Sequence, residues 1–138
     1  MASRSLEDLL PVVRVKALRF EAACQAEGLD ILIYCTHRTG AEQDELYEQG
    51  RTKPGKIVTN ARAGESLHNW RCAFDFVPMV AGKPQWSDKA LYLKAGIIAE
   101  NCGLVWSGRW QGKLRETAHC QYTGGLTLAD FRQGKEPK

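Results

Sequence analysis

The segment Cys72-Ala73-Phe74-Asp75-Phe76-Val77 constrains the fold more than any other stretch of the chain. Successive side chains of a strand point to opposite faces, so Phe74 and Phe76 share one face and Asp75 stands on the other. The two phenylalanines require an apolar layer over them, and helices are the usual source of one. A carboxylate set in so apolar a strand is costly unless it is paired or holds a metal. Pro78 is expected to end this strand or to confine it to an edge.

The covering helices are legible. Over residues 6–27, Leu9, Leu10, Val13, Ala17, Phe20 and Cys24 recur at helical spacing, with Pro11 tolerated near the start and Gly28 as a stop. Residues 88–102 form a second helix, with Leu91, Ala95, Ile98 and Cys102 on one face, Ser87 as N-cap and Gly103 as the stop. Thr39-Gly40-Ala41-Glu42 is a capping box that opens a helix through about Gln49. Residues 30–35, 104–106 and 117–122 read as extended, and 127–133 as a last short helix. Residues 51–65 read as a surface loop with room for one short strand at Ile57-Val58, and 107–115 as a Gly- and Arg-rich loop. Helices and strands mix without a regular βαβ rhythm. The expected class is α+β, with a small, mostly antiparallel sheet packed with helices. At 138 residues the chain is expected to form one domain, 1–138, with no separate second module.

Composition excludes several classes. No apolar run reaches membrane-spanning length, so stable membrane insertion is not expected. The first twenty residues lack the shape of a signal peptide, which places the expected site of synthesis and accumulation in a cytoplasm. The five cysteines form no CxxC pair and are expected to be reduced and mostly buried; Cys72 and Cys120 flank the candidate site. A net charge of +3 favours approach to anionic polymers but is too low and too scattered to recommend nucleic-acid binding.

The three histidines are more specific. His68 precedes Asp75 by seven residues, and His119 follows Glu116 by three. A zinc hydrolase needs three protein ligands and an open position for water. It also needs a carboxylate to accept the water's proton and pass it to the leaving amine. Two His, one Asp and one Glu meet that inventory, and no HExxH is present. Spacing alone leaves the ordinary reading open, in which the histidines are surface or core residues and Asp75 caps a turn. Glu116 and His119 would lie on opposite faces of a regular strand. They can share a site only if Glu116 belongs to an irregular approach to it.

Read together, the surrounding residues resemble a known family. Ser66-Leu67-His68-Asn69-Trp70-Arg71-Cys72-Ala73-Phe74-Asp75 resembles the SxHxxGxAxD signature of the D-Ala-D-Ala carboxypeptidase and L-alanyl-D-glutamate endopeptidase family. Glu116-Thr117-Ala118-His119, followed by Cys120-Gln121, resembles its second signature, and Thr36-His37-Arg38-Thr39 with Glu42-Gln43 and Leu46–Arg51 resembles its upstream segment. The tail Leu126–Arg132 resembles the terminal helix of compact phage endolysins.

The resemblance implies the fold shared by D-Ala-D-Ala peptidases and the hedgehog signalling domain. It implies a zinc ion held by His68, Asp75 and His119, with Glu116 as catalytic base and Arg38 gripping substrate or oxyanion. Ser66 is a candidate for substrate binding or for a structural turn. Gln43 is a candidate for reaching the site or for a solvated helix face. Trp70, Trp106 and Trp110 line a cleft or, by default, pack in the core. The implied activity is hydrolysis of the L-Ala–D-Glu bond of the peptidoglycan stem peptide by a monomeric phage endolysin. Such a protein accumulates in the host cytoplasm and needs a holin or similar route to the wall. The alternatives are a D-Ala-D-Ala carboxypeptidase and a non-catalytic, zinc-containing wall-binding module; the retained Glu116 speaks against the latter. Two positions depart from the pattern. Arg71 replaces a glycine, which is expected to relax the backbone there or to serve an anionic substrate. Cys120 replaces an aromatic and is expected to be a packing residue.

Overall fold

The computed structural model describes residues 2–112 and 115–138. Helix α1 (Pro11–Ala26) begins later than its apolar pattern suggests. Leu6–Asp8 form a separate 3-10 turn, and Leu10 is extended because it precedes proline. Pro11 then takes the first helical position, where its missing N–H costs nothing.

The sheet is antiparallel in the order β1 (Asp30–Cys35), β2 (Ala73–Val80), β5 (His119–Gln121), β4 (Val105–Trp106), with the short β3 (Lys83–Pro84) beside the far end of β2. Strand β2 is therefore central, and it runs through Pro78 rather than ending there. The Pro78 carbonyl accepts from the Gln85 N–H on the side away from β1. The missing Pro78 donor lies on that same side, past Ala73–Asp75, the stretch of β2 paired with β5. The Gln85 carbonyl, which that donor would have met, accepts from the Asp88 N–H at 3.3 Å instead.

Phe74 and Phe76 point into the core, fully buried. Phe20 of α1 contacts both rings, at centroid distances of 5.7 and 5.2 Å, and Tyr92 of α3 (Lys89–Asn101) lies 5.6 Å from Phe76. Burying such a ring contributes about 1.5–3 kcal/mol. Val13, Ala17 and Cys24 complete the α1 face, and Ala95 and Ala99 the α3 face. Asp88, not Ser87, caps α3, accepting from the Leu91 N–H. Helix α2 (Gly40–Glu48) has the expected capping box between Thr39 and Glu42. The loop after it carries an isolated bridge, Gln49 to Lys53, but no strand at Ile57-Val58, which are exposed. The short helix α4 (Leu128–Arg132) docks Phe131 on the core. Among the described residues no helix is long and apolar enough to cross a membrane.

Trp106 is seated against the backbone of two glycines. A Cβ on Gly96 of α3 would meet its ring at 2.2 Å, and one on Gly108 at 2.1 Å. Arg71 also has a backbone constraint. It adopts the left-handed conformation, φ 61°, that a glycine would take without strain, so the arginine does not relax the turn. Its guanidinium donates to the Asp8 carbonyl at 3.0 Å and lies 3.7 Å from the Asp8 carboxylate. Arg71→Ala keeps the strain and loses these contacts, whereas Arg71→Gly loses the contacts and relieves the strain. Urea unfolding is expected to find the glycine variant more stable than the alanine variant by about 1 kcal/mol.

Candidate functional site

Sheet register builds half of the site. Asp75 is the direct partner of Cys35 on β1 and of His119 on β5, so three side chains stand in a row on the face opposite the phenylalanines. His68 reaches the same place from a 3-10 turn, Leu67–Trp70, that Ser66 and Asn69 close with reciprocal capping bonds. The Arg38 N–H donates to the His68 carbonyl and the Asn69 amide donates to the Arg38 carbonyl, which ties the turn to the end of β1.

One oxygen joins the two rings. Asp75 Oδ1 lies 3.2 Å from His68 Nε2 and 3.3 Å from His119 Nδ1. The imidazole centroids are 5.2 Å apart and the rings are nearly perpendicular. Each outer nitrogen has its own acceptor. His68 Nδ1 donates to the Thr36 carbonyl at 2.9 Å, and His119 Nε2 to the Gln121 side-chain oxygen at 2.9 Å. Those bonds fix both tautomers so that the nitrogens facing Asp75 are free to hold a proton or a cation.

The donor types, two imidazole nitrogens and a carboxylate oxygen, are those that suit zinc. Ligand atoms placed tetrahedrally at about 2.0–2.1 Å from a cation stand roughly 3.3 Å from one another. Asp75 Oδ1 keeps that spacing from both imidazole nitrogens. The Cys35 thiol is a further soft donor nearby: ligand atoms of Cys35, His68 and Asp75 all lie within 4.8 Å of each other. Its sulfur, however, is 3.6 Å from His68 Nδ1, the nitrogen committed to Thr36, so it stands behind the ring.

Glu116 enters from a turn. Residues 117–118 bend before β5 begins at His119, and the His119 N–H reaches back to the Glu116 carbonyl. Glu116 Oε2 thereby comes within 3.6 Å of His119 Nδ1, while its side chain stays 63% exposed. The four residues line one cleft of about 750 Å³, together with Tyr34, Arg38 and Trp110. A second lobe of about 540 Å³ adjoins it, sharing Tyr34, Arg38 and Asp75.

The family model described as VanY, D-alanyl-D-alanine carboxypeptidase, matches residues 7–125. The chain belongs to this family. It is 41% identical over 123 residues to the peptidoglycan L-alanyl-D-glutamate endopeptidase CwlK of Bacillus subtilis, covering 83% of this chain and 73% of the relative. Among solved structures, the Serratia marcescens L-Ala D-Glu endopeptidase ChiX superposes with a TM-score of 0.63 at 24% identity, covering 95% of this chain and 92% of that one. A D,D-pentapeptidase VanY from a VanB-type vancomycin-resistance cassette, in complex with Zn(II), gives 0.63 at 16% identity, covering 91% and 79%. The likeness to these two structures confirms the α+β fold, and the family membership makes the chain a peptidase.

Within this peptidase the remaining candidates divide. Arg38 faces the cleft, with Nη1 donating to Gln43 Oε1 at 2.9 Å and Nη2 to Cys35 Sγ at 3.6 Å, while its buried Nε has no hydrogen-bond partner among the described residues. Gln43 is neither solvated nor in the cleft. It is fully buried, and its amide nitrogen donates to the Ala61 carbonyl at 2.8 Å. Both ends of that amide are occupied, so it braces Arg38 against the loop. Ser66 lines the cleft, and its hydroxyl accepts from the His68 N–H. Trp110 lies beside His119 at 6.2 Å, whereas Trp70 stacks on Phe131 and Trp106 is in the core. Cys72 and Cys120 point into the core rather than toward the site. Burial pushes the Cys72 thiol up to about 12 and holds Cys120 well above its ordinary value. Cys35 is the cysteine at the site. Only the β1–β2 register could have revealed it, since nothing in its local sequence marks it. Gln121 had a signal, its place two residues after His119, but no assigned role.

Burial alone would raise the Asp75 pKa, yet the hydrogen bonds from His119 and His68 hold it well below the ordinary carboxylate range. Burial alone would lower that of His68; the Asp75 partner reverses this and raises it from 6.5 to about 10. The raised His68 contributes stability in full below pH 6.5 and loses it as pH climbs toward 10. The depressed Asp75 contributes above pH 3.8 and loses its share as pH falls below that. In chelator, the urea midpoint is therefore expected to be highest between these limits and to fall by about pH 9, and Asp75→Asn is expected to flatten the alkaline decline.

Proposed function

We propose that this peptidase is a zinc-dependent peptidoglycan hydrolase that cuts the L-Ala–D-Glu bond of the stem peptide. His68, Asp75 and His119 hold the metal, Glu116 is the general base, and Arg38 grips the substrate. The observation that carries this reading is the convergence of two tautomer-fixed imidazole nitrogens on one carboxylate oxygen, at 3.2 and 3.3 Å. Bound there, zinc would supply Lewis-acid chemistry, activating a water and polarising the scissile carbonyl.

The chain's own residues supply the rest. Glu116, exposed at the cleft beside His119, takes a proton from the attacking water and returns it to the leaving amine. Arg38 stays charged and faces both lobes, where a substrate carboxylate or a carbonyl oxygen gathering charge would meet it. Thr36 and Gln121 orient the ligating rings from behind.

Two observations favour cleavage inside a peptide over removal of a terminal residue. The relative at 41% identity is named for L-alanyl-D-glutamate cleavage. The cleft also extends to either side of Asp75 and Arg38, which gives room on both sides of the scissile bond. Mass spectrometry of digested peptidoglycan tests the assignment. New fragments with amino-terminal D-Glu are expected, and they should vanish with chelator and return with zinc. Released D-Ala instead would make the enzyme a carboxypeptidase. Glu116→Ala is expected to keep zinc and to lose roughly 10²–10⁴-fold in rate. If that variant digests at the parent rate, Glu116 is not the base.

A further inference from the structure

Glu116 is held by backbone, not by its own side chain, which is 63% exposed. Each residue of its turn is pinned from a different direction. The Glu116 N–H donates to the Ser107 carbonyl at 3.3 Å, and the Phe76 N–H donates to the Ala118 carbonyl at 2.9 Å. Between them, the Thr117 carbonyl accepts from Trp106 Nε1 at 2.7 Å, the shortest of these bonds. The donor cannot drift. Trp106 is 4% exposed, it pairs with Cys120 across β4 and β5, and the glycine backbones at 96 and 108 leave no space beside its ring.

We propose that Trp106 is a positioning residue for catalysis: its indole N–H fixes the 116–118 turn and so sets where the Glu116 carboxylate stands relative to His119. This rests on the reading of Glu116 as the base. A packing role alone would need the ring but not the N–H, and that difference makes the inference testable. Asp75 is held by β2 and His68 by its own turn, and His119, which follows the 116–118 turn, stays paired with Asp75 across β5 and β2, so loss of the N–H is expected to leave the metal bound. Misplacing a catalytic group by about 1 Å costs on the order of 10²-fold in rate.

The test replaces Trp106, in the full zinc-loaded chain, by 3-benzothienylalanine, which keeps the bicyclic shape and puts sulfur where the N–H was. Turnover of a purified stem-peptide muropeptide and zinc content per chain are measured beside the parent. The expected result is kcat lowered about 10–100-fold, KM within about twofold, and one zinc retained per chain. An unchanged kcat would overturn the inference, as would parallel loss of zinc and substrate binding, which marks a purely structural role. Absence of hydrolysis by the parent enzyme would be a different failure, that of the catalytic reading itself.

Discussion

The structure depends on a carboxylate placed where a strand would otherwise be wholly apolar. Asp75 is 18% exposed and has Phe74 and Phe76 on either side in sequence, both fully buried beneath it. Such a group is tolerated only with strong partners. The sheet provides one of them, His119, as a direct cross-strand neighbour, and the 3-10 turn provides the other. The same β2 residues therefore fix the core on one face and the chemistry on the other. A slip of one residue would exchange the two faces and destroy both.

Around that centre the order of rigidity follows the source of each side chain. Asp75 and His119 come from paired strands, and His68 from a short turn laced to Arg38 by two hydrogen bonds. Glu116 comes from a bend and is the most exposed of the four. The proposed metal ligands have the stiffest supports. The proposed general base has the loosest side chain on a well-anchored backbone.

Much of this was legible in the sequence, for identifiable reasons. Alternation in residues 72–77 gave the orientation of Asp75, and helical spacing gave the core faces of α1 and α3. The spacing of Glu116 and His119 required an irregular approach, and the turn at 117–118 is that irregularity. What escaped depends on contacts between distant segments. Pro78 does not stop β2 because β5 has already ended on that side and the Gln85 carbonyl finds a donor in Asp88, which no local rule encodes. Arg71 accepts a left-handed backbone because Asp8, far away in sequence, holds its guanidinium. Gln43 looks like any polar helix residue until the loop at 59–61 folds over it. Cys35 acquires its place from strand register alone.

The buried Gln43 amide has a consequence for how substitutions in this enzyme would be interpreted. One end holds the Arg38 guanidinium and the other holds the Ala61 carbonyl on the cleft wall. Wall and guanidinium are thus mechanically one part, separated by a single planar group. Any change that displaces the loop would drag the arginine with it, and kinetics would then report a damaged charge contact although the arginine itself was untouched.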